Sequence, residues 1–100
     1  MLENMTAASF SEHLNTKFRV SLPLDAVELE LIKIDDLGVT SRQERFSLIF
    51  RGPLDRALLQ GTYTMEHNKL EVIELFIVPI AQDEDGIRYE AAFNRLRKEE

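Results

Sequence analysis

Apolar and polar residues alternate along most of this chain with the two-residue period of a half-buried strand. From Thr16 to Leu22, Phe18, Val20 and Leu22 fall on one side and Lys17, Arg19 and Ser21 on the other, until Pro23, which has no ladder donor, ends the segment. Val27, Leu29 and Leu31 alternate with Glu28 and Glu30 in a second strand, after which Ile32 and Ile34 appear on the opposite face. That switch predicts a bulge or bend between Leu31 and Lys33. Asp35 to Gln43 is polar, contains Gly38 and reads as a loop. A third strand runs from Glu44 to Arg51, with Phe46, Leu48 and Phe50 inward and Arg45, Ser47 and Arg51 outward; Ile49 departs from the outward polarity, and Gly52-Pro53 stops the run.

Leu54 to Gln60 reads as a loop or a single helical turn, anchored by Leu58-Leu59. Gly61 then opens a fourth strand, Thr62 to His67, and the turn chemistry of His67-Asn68-Lys69 joins it as a hairpin to a fifth, about Glu71 to Ile80. Leu75-Phe76-Ile77-Val78 is apolar on both faces, which predicts a strand covered on both sides, at a sheet centre or inside a closed barrel. Pro79 confines its regular pairing to the residues before it. Asp83-Glu84-Asp85-Gly86 carries the signal of a tight hairpin turn, and the last strand sets Ile87, Tyr89, Ala91 and Phe93 against Arg88, Glu90 and Asn94. Ahead of all the strands, Ala7, Phe10 and Leu14 share one face of a short helix that starts at Thr6 or at Ser9, the latter with Glu12 in capping-box spacing. The charged tail Arg95 to Glu100 is expected to fray or to form a short solvated helix.

Each of the four glycines falls at an expected break and none within a strand. Successive strands are expected to be antiparallel neighbours, because no connection has room for repeated helical crossovers. The fold class is therefore mainly β, a six-stranded antiparallel small barrel or roll with one short N-terminal helix. At 100 residues the chain is one domain, with its ordered core over about residues 6–94, since either half alone would be too small to bury a useful core.

Composition narrows the function classes. There is no cysteine, which removes disulfides, thiolate zinc sites and cysteine nucleophiles. The amino terminus lacks the basic start of a secretory signal, and no segment approaches a membrane-spanning run, so a soluble cytoplasmic protein is expected. A net charge of −6 argues against nucleic acid, whose binding draws on clustered Lys and Arg.

Candidate chemistry is sparse. His13 and His67 are the only imidazoles, far apart and without metal-ligand spacing, and Glu66 and His67 would face opposite ways on a regular strand. Asp83, Asp85 and Gly86 lack the ligand alternation of a calcium loop and are better explained by the turn. Arg51, beside Gly52-Pro53, suits bidentate recognition of a carboxylate or phosphate, or else pairs with a strand neighbour. Tyr63 and Tyr89 read as core-edge aromatics with hydroxyls at the surface. No serine sits in a nucleophile motif, no Gly-rich loop could cradle a phosphate, and Asp35-Asp36 and Glu28/Glu30 are accounted for by solvated surfaces. No catalytic activity, cofactor or metal is expected.

The segments Phe46-Ser-Leu-Ile-Phe-Arg-Gly-Pro53, Gln60-Gly-Thr-Tyr-Thr-Met-Glu-His67, Leu75-Phe-Ile-Val-Pro-Ile80 and Arg88-Tyr-Glu-Ala-Ala-Phe-Asn94 together resemble an uncharacterised family of small bacterial domains of unknown function. The resemblance runs from about Phe10 to Asn94. It implies a bacterial source and an association with phage-tail-like or surface-assembly proteins, and it brings no catalytic residues. The leading expectation is a non-enzymatic interaction or structural module that docks to another protein or to copies of itself, with Arg51, Tyr63 and His67 as interaction candidates and with neither nucleic acid nor membrane as partner. The alternative is a small-molecule-binding β-barrel with a cavity between the inward faces.

Overall fold

The structure, a computed structural model, describes residues 6–39 and 43–96. One short helix, α1 (Ala7–Ser11), precedes six strands: β1 (Lys17–Ser21), β2 (Ala26–Val39), β3 (Gln43–Gly52), β4 (Gly61–His67), β5 (Leu70–Asp83) and β6 (Gly86–Leu96). All neighbouring strands are antiparallel, and the sheet closes on itself in the order β1-β2-β3-β6-β5-β4. Closure removes the exposed edges that an open sheet of these strands would leave. The closing seam is short: β1 meets β4 only at Arg19↔Glu66 and Val20↔Met65.

Neighbours in sequence are neighbours in space within β1-β2-β3 and within β4-β5-β6, but β3 lies beside β6 and not beside β4. The register shows why. Phe46, Leu48 and Phe50 sit opposite Phe93, Ala91 and Tyr89, so the inward rows of β3 and β6 continue one another. Residues 53–60 carry the chain from β3 to β4 without a helix, through one turn in which the Arg56 N–H donates to the Pro53 carbonyl.

The inward faces fill the barrel with Phe18, Val20, Leu29, Leu31, Phe46, Leu48, Phe50, Met65, Ile77 and Tyr89, all fully buried. Thr6 caps α1 by accepting the Ser9 N–H (3.1 Å), and Ser9 is therefore inside the helix and not its start. The helix drops Phe10 against Phe46 and Phe93, whose rings are stacked 4.6 Å apart. Ala7 and Leu14 pack beside it, as the shared face predicts.

Several local expectations are corrected. Asp35 to Val39 are strand and not loop: β2 continues to Val39, opposite Glu44, with Gly38 inside it at a bulge and at φ 112°. Polar composition misleads there because backbone pairing with β3, Asp35 opposite Ser47 and Asp36 opposite Phe46, makes the strand whatever the polarity of its side chains. Residues 40–42 lie outside the described residues. At the other end, Arg95 and Leu96 extend β6 by pairing with Glu44 and Gln43, while residues 97–100 lie outside the described residues. The bend expected between Leu31 and Lys33 is present as a register shift. β5 passes through Pro79 with a second shift, between Pro79 and Ala81, and continues to Asp83. β5 is also not covered on both faces. Its burial alternates through Ile73, Leu75 and Ile77, with Val72, Glu74 and Phe76 exposed between and beside them; the strand buried on both faces is β3, where Ser47 and Ile49 are covered as well as Phe46, Leu48 and Phe50. No helix among the described residues is long and apolar enough to cross a membrane.

Candidate functional site

Arg51, Tyr63 and His67 do not converge. Arg51 points outward from β3 and pairs with Glu30 on the neighbouring β2 (Nη2 to Oε1, 3.3 Å). This is the strand-neighbour pairing weighed for it from sequence. Tyr63 is half-buried near the start of β4, and its hydroxyl donates to the Leu59 carbonyl (2.7 Å). Tyr89 corrects the expectation of a surface hydroxyl. It is fully buried, and its oxygen accepts the N–H of Leu58 (2.9 Å). The two phenols thus hold the backbone at 58–59, turning Leu58 into the core while Leu59 stands exposed. A buried N–H costs stability unless paired, so Tyr89 serves as the acceptor that lets this crossing close the barrel end.

His67 is the best-defined polar centre. The Lys69 N–H donates to its Nδ1 (3.0 Å), which places the imidazole proton on Nε2. Nε2 then donates to Thr16 Oγ1 (2.8 Å), and the Thr16 hydroxyl donates to the His13 carbonyl (2.6 Å). This relay ties the β4–β5 turn to the segment that leads into β1, just beyond the two-position seam. The rings of Phe18 and His13 lie 4.6 and 4.7 Å from that of His67. Burial, reinforced by the neighbouring His13 and Lys69, holds the His67 imidazole below the usual histidine range.

Around this relay runs an open groove of about 930 Å³ whose rim interleaves Glu12, Glu28 and Glu66 with Lys17, Arg19 and Lys69. Glu66 and His67 both line it, although β4 keeps its alternation, with Glu66 exposed between buried Met65 and half-buried His67; the extra residue at the register shift lies in β5, between Leu70 and Ile73. Neutral His67 has both ring nitrogens engaged. Among the described residues no three His, Asp or Glu side chains gather as a metal cluster. The proximity of His13 and His67 escaped sequence reasoning, since nothing local signals a contact across the seam.

Asp83 closes the β5–β6 hairpin as the turn reading has it. It accepts the Asp85 N–H (2.8 Å) and pairs with Arg88 (2.6 Å), and these two contacts, the backbone bond first, hold its carboxyl below the usual range.

The outer face of β5 carries the other feature. Val72, Phe76 and Ile80 are 58%, 52% and 49% exposed, with half-buried Val78 among them. Thr62 and Thr64 of β4 stand opposite Phe76 and Glu74, and Glu90 of β6 stands opposite Val78. Neither Glu74 nor Glu90 has an ion pair among the described residues. The signal is present in sequence in Leu75-Phe76-Ile77-Val78, an apolar run longer than one covered face requires, and hydrophobicity alone does not separate a buried face from an exposed apolar one.

A family model described as a domain of unknown function, DUF6916, matches residues 5–93. No curated protein and no solved structure matches the chain.

Proposed function

We propose that this chain, which belongs to the domain family of unknown function DUF6916, is a non-enzymatic protein-interaction module. The observation that carries the reading is the apolar row Val72, Phe76 and Ile80 on the outside of a barrel that already has a full core. Single exposed apolar residues are ordinary, whereas a row along one strand marks a surface made to be covered. Covering a side chain of this size contributes roughly 1.5–3 kcal/mol when burial is complete. The interior offers a ligand no comparable opportunity, since Phe18, Phe46, Phe50 and Tyr89 would have to move to admit one. Engagement of both His67 nitrogens in structural hydrogen bonds likewise favours binding over catalysis. Membership of a larger assembly, of the phage-tail-like kind that the family resemblance implies, fits a part held among others by one outer strip.

The test is photo-crosslinking in the native host from a benzoylphenylalanine placed at position 76, with position 84 as an exposed control, alongside light-scattering mass over a concentration series. A protein adduct from position 76 and none from position 84 is expected. No adduct from position 76, together with a monomer mass at every concentration, overturns the reading.

A further inference from the structure

Resting on that docking role, we propose that the β5 face receives a protein segment in which apolar side chains alternate with lysine or arginine, and not a second copy of this chain. The argument is electrostatic. Glu74 sits within the row, between Val72 and Phe76, and Glu90 stands beside Val78. The β4 residues opposite Phe76 and Glu74 are the neutral Thr62 and Thr64, so the face supplies no cation of its own there. Other carboxylates have a cation beside them, Glu30 with Arg51, Asp25 with Arg56, Asp83 with Arg88, Asp35 with Lys33 and Glu66 with Arg19; what sets Glu74 and Glu90 apart from the remaining unpaired carboxylates among the described residues is their place beside the exposed apolar row. A partner that covers Val72 and Phe76 must also cover Glu74. Covering a carboxylate without a counter-charge is unfavourable, and a cation beside the apolar contact removes that penalty. A two-fold contact centred on Phe76 would set Glu74 against Val78 of the copy, whose neighbour across the sheet is Glu90, so carboxylate would approach carboxylate within a chain whose net charge is already −6.

The probes are two short synthetic peptides, one alternating Lys and Leu and the other alternating Glu and Leu, titrated into the isotope-labelled full chain with amide shifts as the readout. The Lys-Leu peptide is expected to shift Val72 to Val78, Thr62, Thr64 and Glu90, and the Glu-Leu peptide to leave them in place. The double variant Glu74→Gln/Glu90→Gln should bind the Lys-Leu peptide about threefold to tenfold more weakly, while Glu12→Gln/Glu84→Gln binds as the parent does. Equal binding of both peptides, shifts centred on another face, no shifts with either peptide, or a mass that doubles with concentration and reverts in Phe76→Ser each overturns the proposal. If position 76 still crosslinks, those outcomes remove the basic partner and leave the interaction module standing; loss of the crosslink together with a monomer mass at every concentration removes both.

Discussion

Replacing His67 by glutamine should flatten the dependence of stability on pH near neutrality. In the folded chain the neutral ring accepts from Lys69 and donates to Thr16. Protonation puts a hydrogen on Nδ1, where it faces the Lys69 N–H, donor against donor, and adds charge beside His13 and Lys69. The folded pKa therefore lies below the unfolded value of about 6.5. As pH falls below that unfolded value, the unfolded chain takes up the proton first, so the contribution of His67 is complete above it and is lost progressively toward the folded pKa. Glutamine can accept and donate at similar positions but cannot titrate. His67→Ala sets the scale: the Thr16 hydrogen bond contributes about 0.5–1.5 kcal/mol, and the ring contact with Phe18 a similar amount. Discounted for partial exposure, the loss should be about 1–2 kcal/mol, or roughly 5–15 °C in Tm for a domain of this size. Urea denaturation from about pH 7.5 to 5.5 reads both effects. Parallel pH profiles for the parent and His67→Gln would refute the reasoning. His13→Gln should shrink the slope, because His13 is one cause of the shift.

Tyr89→Phe leaves the buried Leu58 N–H without an acceptor and should cost about 1–3 kcal/mol in urea denaturation, with the fold retained. Phe10→Ala empties the site over the Phe46–Phe93 stack and should cost about 3–5 kcal/mol, read by thermal melting. Gly52→Ala directs a methyl group at the buried Leu29 Cδ2, 2.5 Å away, and should destabilise by about 1–3 kcal/mol in the same assay. Phe76→Ser, on the exposed outer face, should change stability by no more than about 0.5 kcal/mol while abolishing the proposed contact.

The strand pattern was legible wherever one face was packed. Phe46, Leu48 and Phe50 on β3, and Ile87, Tyr89 and Ala91 on β6, declared their inward direction by alternation alone. Alternation carries no information about which strand lies beside which. The β3–β6 pairing, and hence the contact of His13 with His67 across the β1–β4 seam, depended on matching faces far apart in the chain. Asp35 to Val39 misled for a related reason: this stretch is held as strand by its pairing with Ser47, Phe46, Arg45 and Glu44, and propensity does not report partners. At β5 the pattern was read correctly as apolar, but burial was inferred from hydrophobicity, a rule that holds in one direction only.

The β1–β4 seam has a kinetic consequence. Each of the two meanders, β1-β2-β3 and β4-β5-β6, pairs strands that follow one another in sequence, whereas joining β1 to β4 closes a long loop of chain for two paired positions. The β3–β6 ladder, paired from Gln43↔Leu96 to Gly52↔Ile87, gives the halves a far larger surface on which to meet. Folding should therefore dock the two meanders through β3 and β6 and complete the ring last. The same seam should be the first place where the native barrel exchanges its amide hydrogens with solvent.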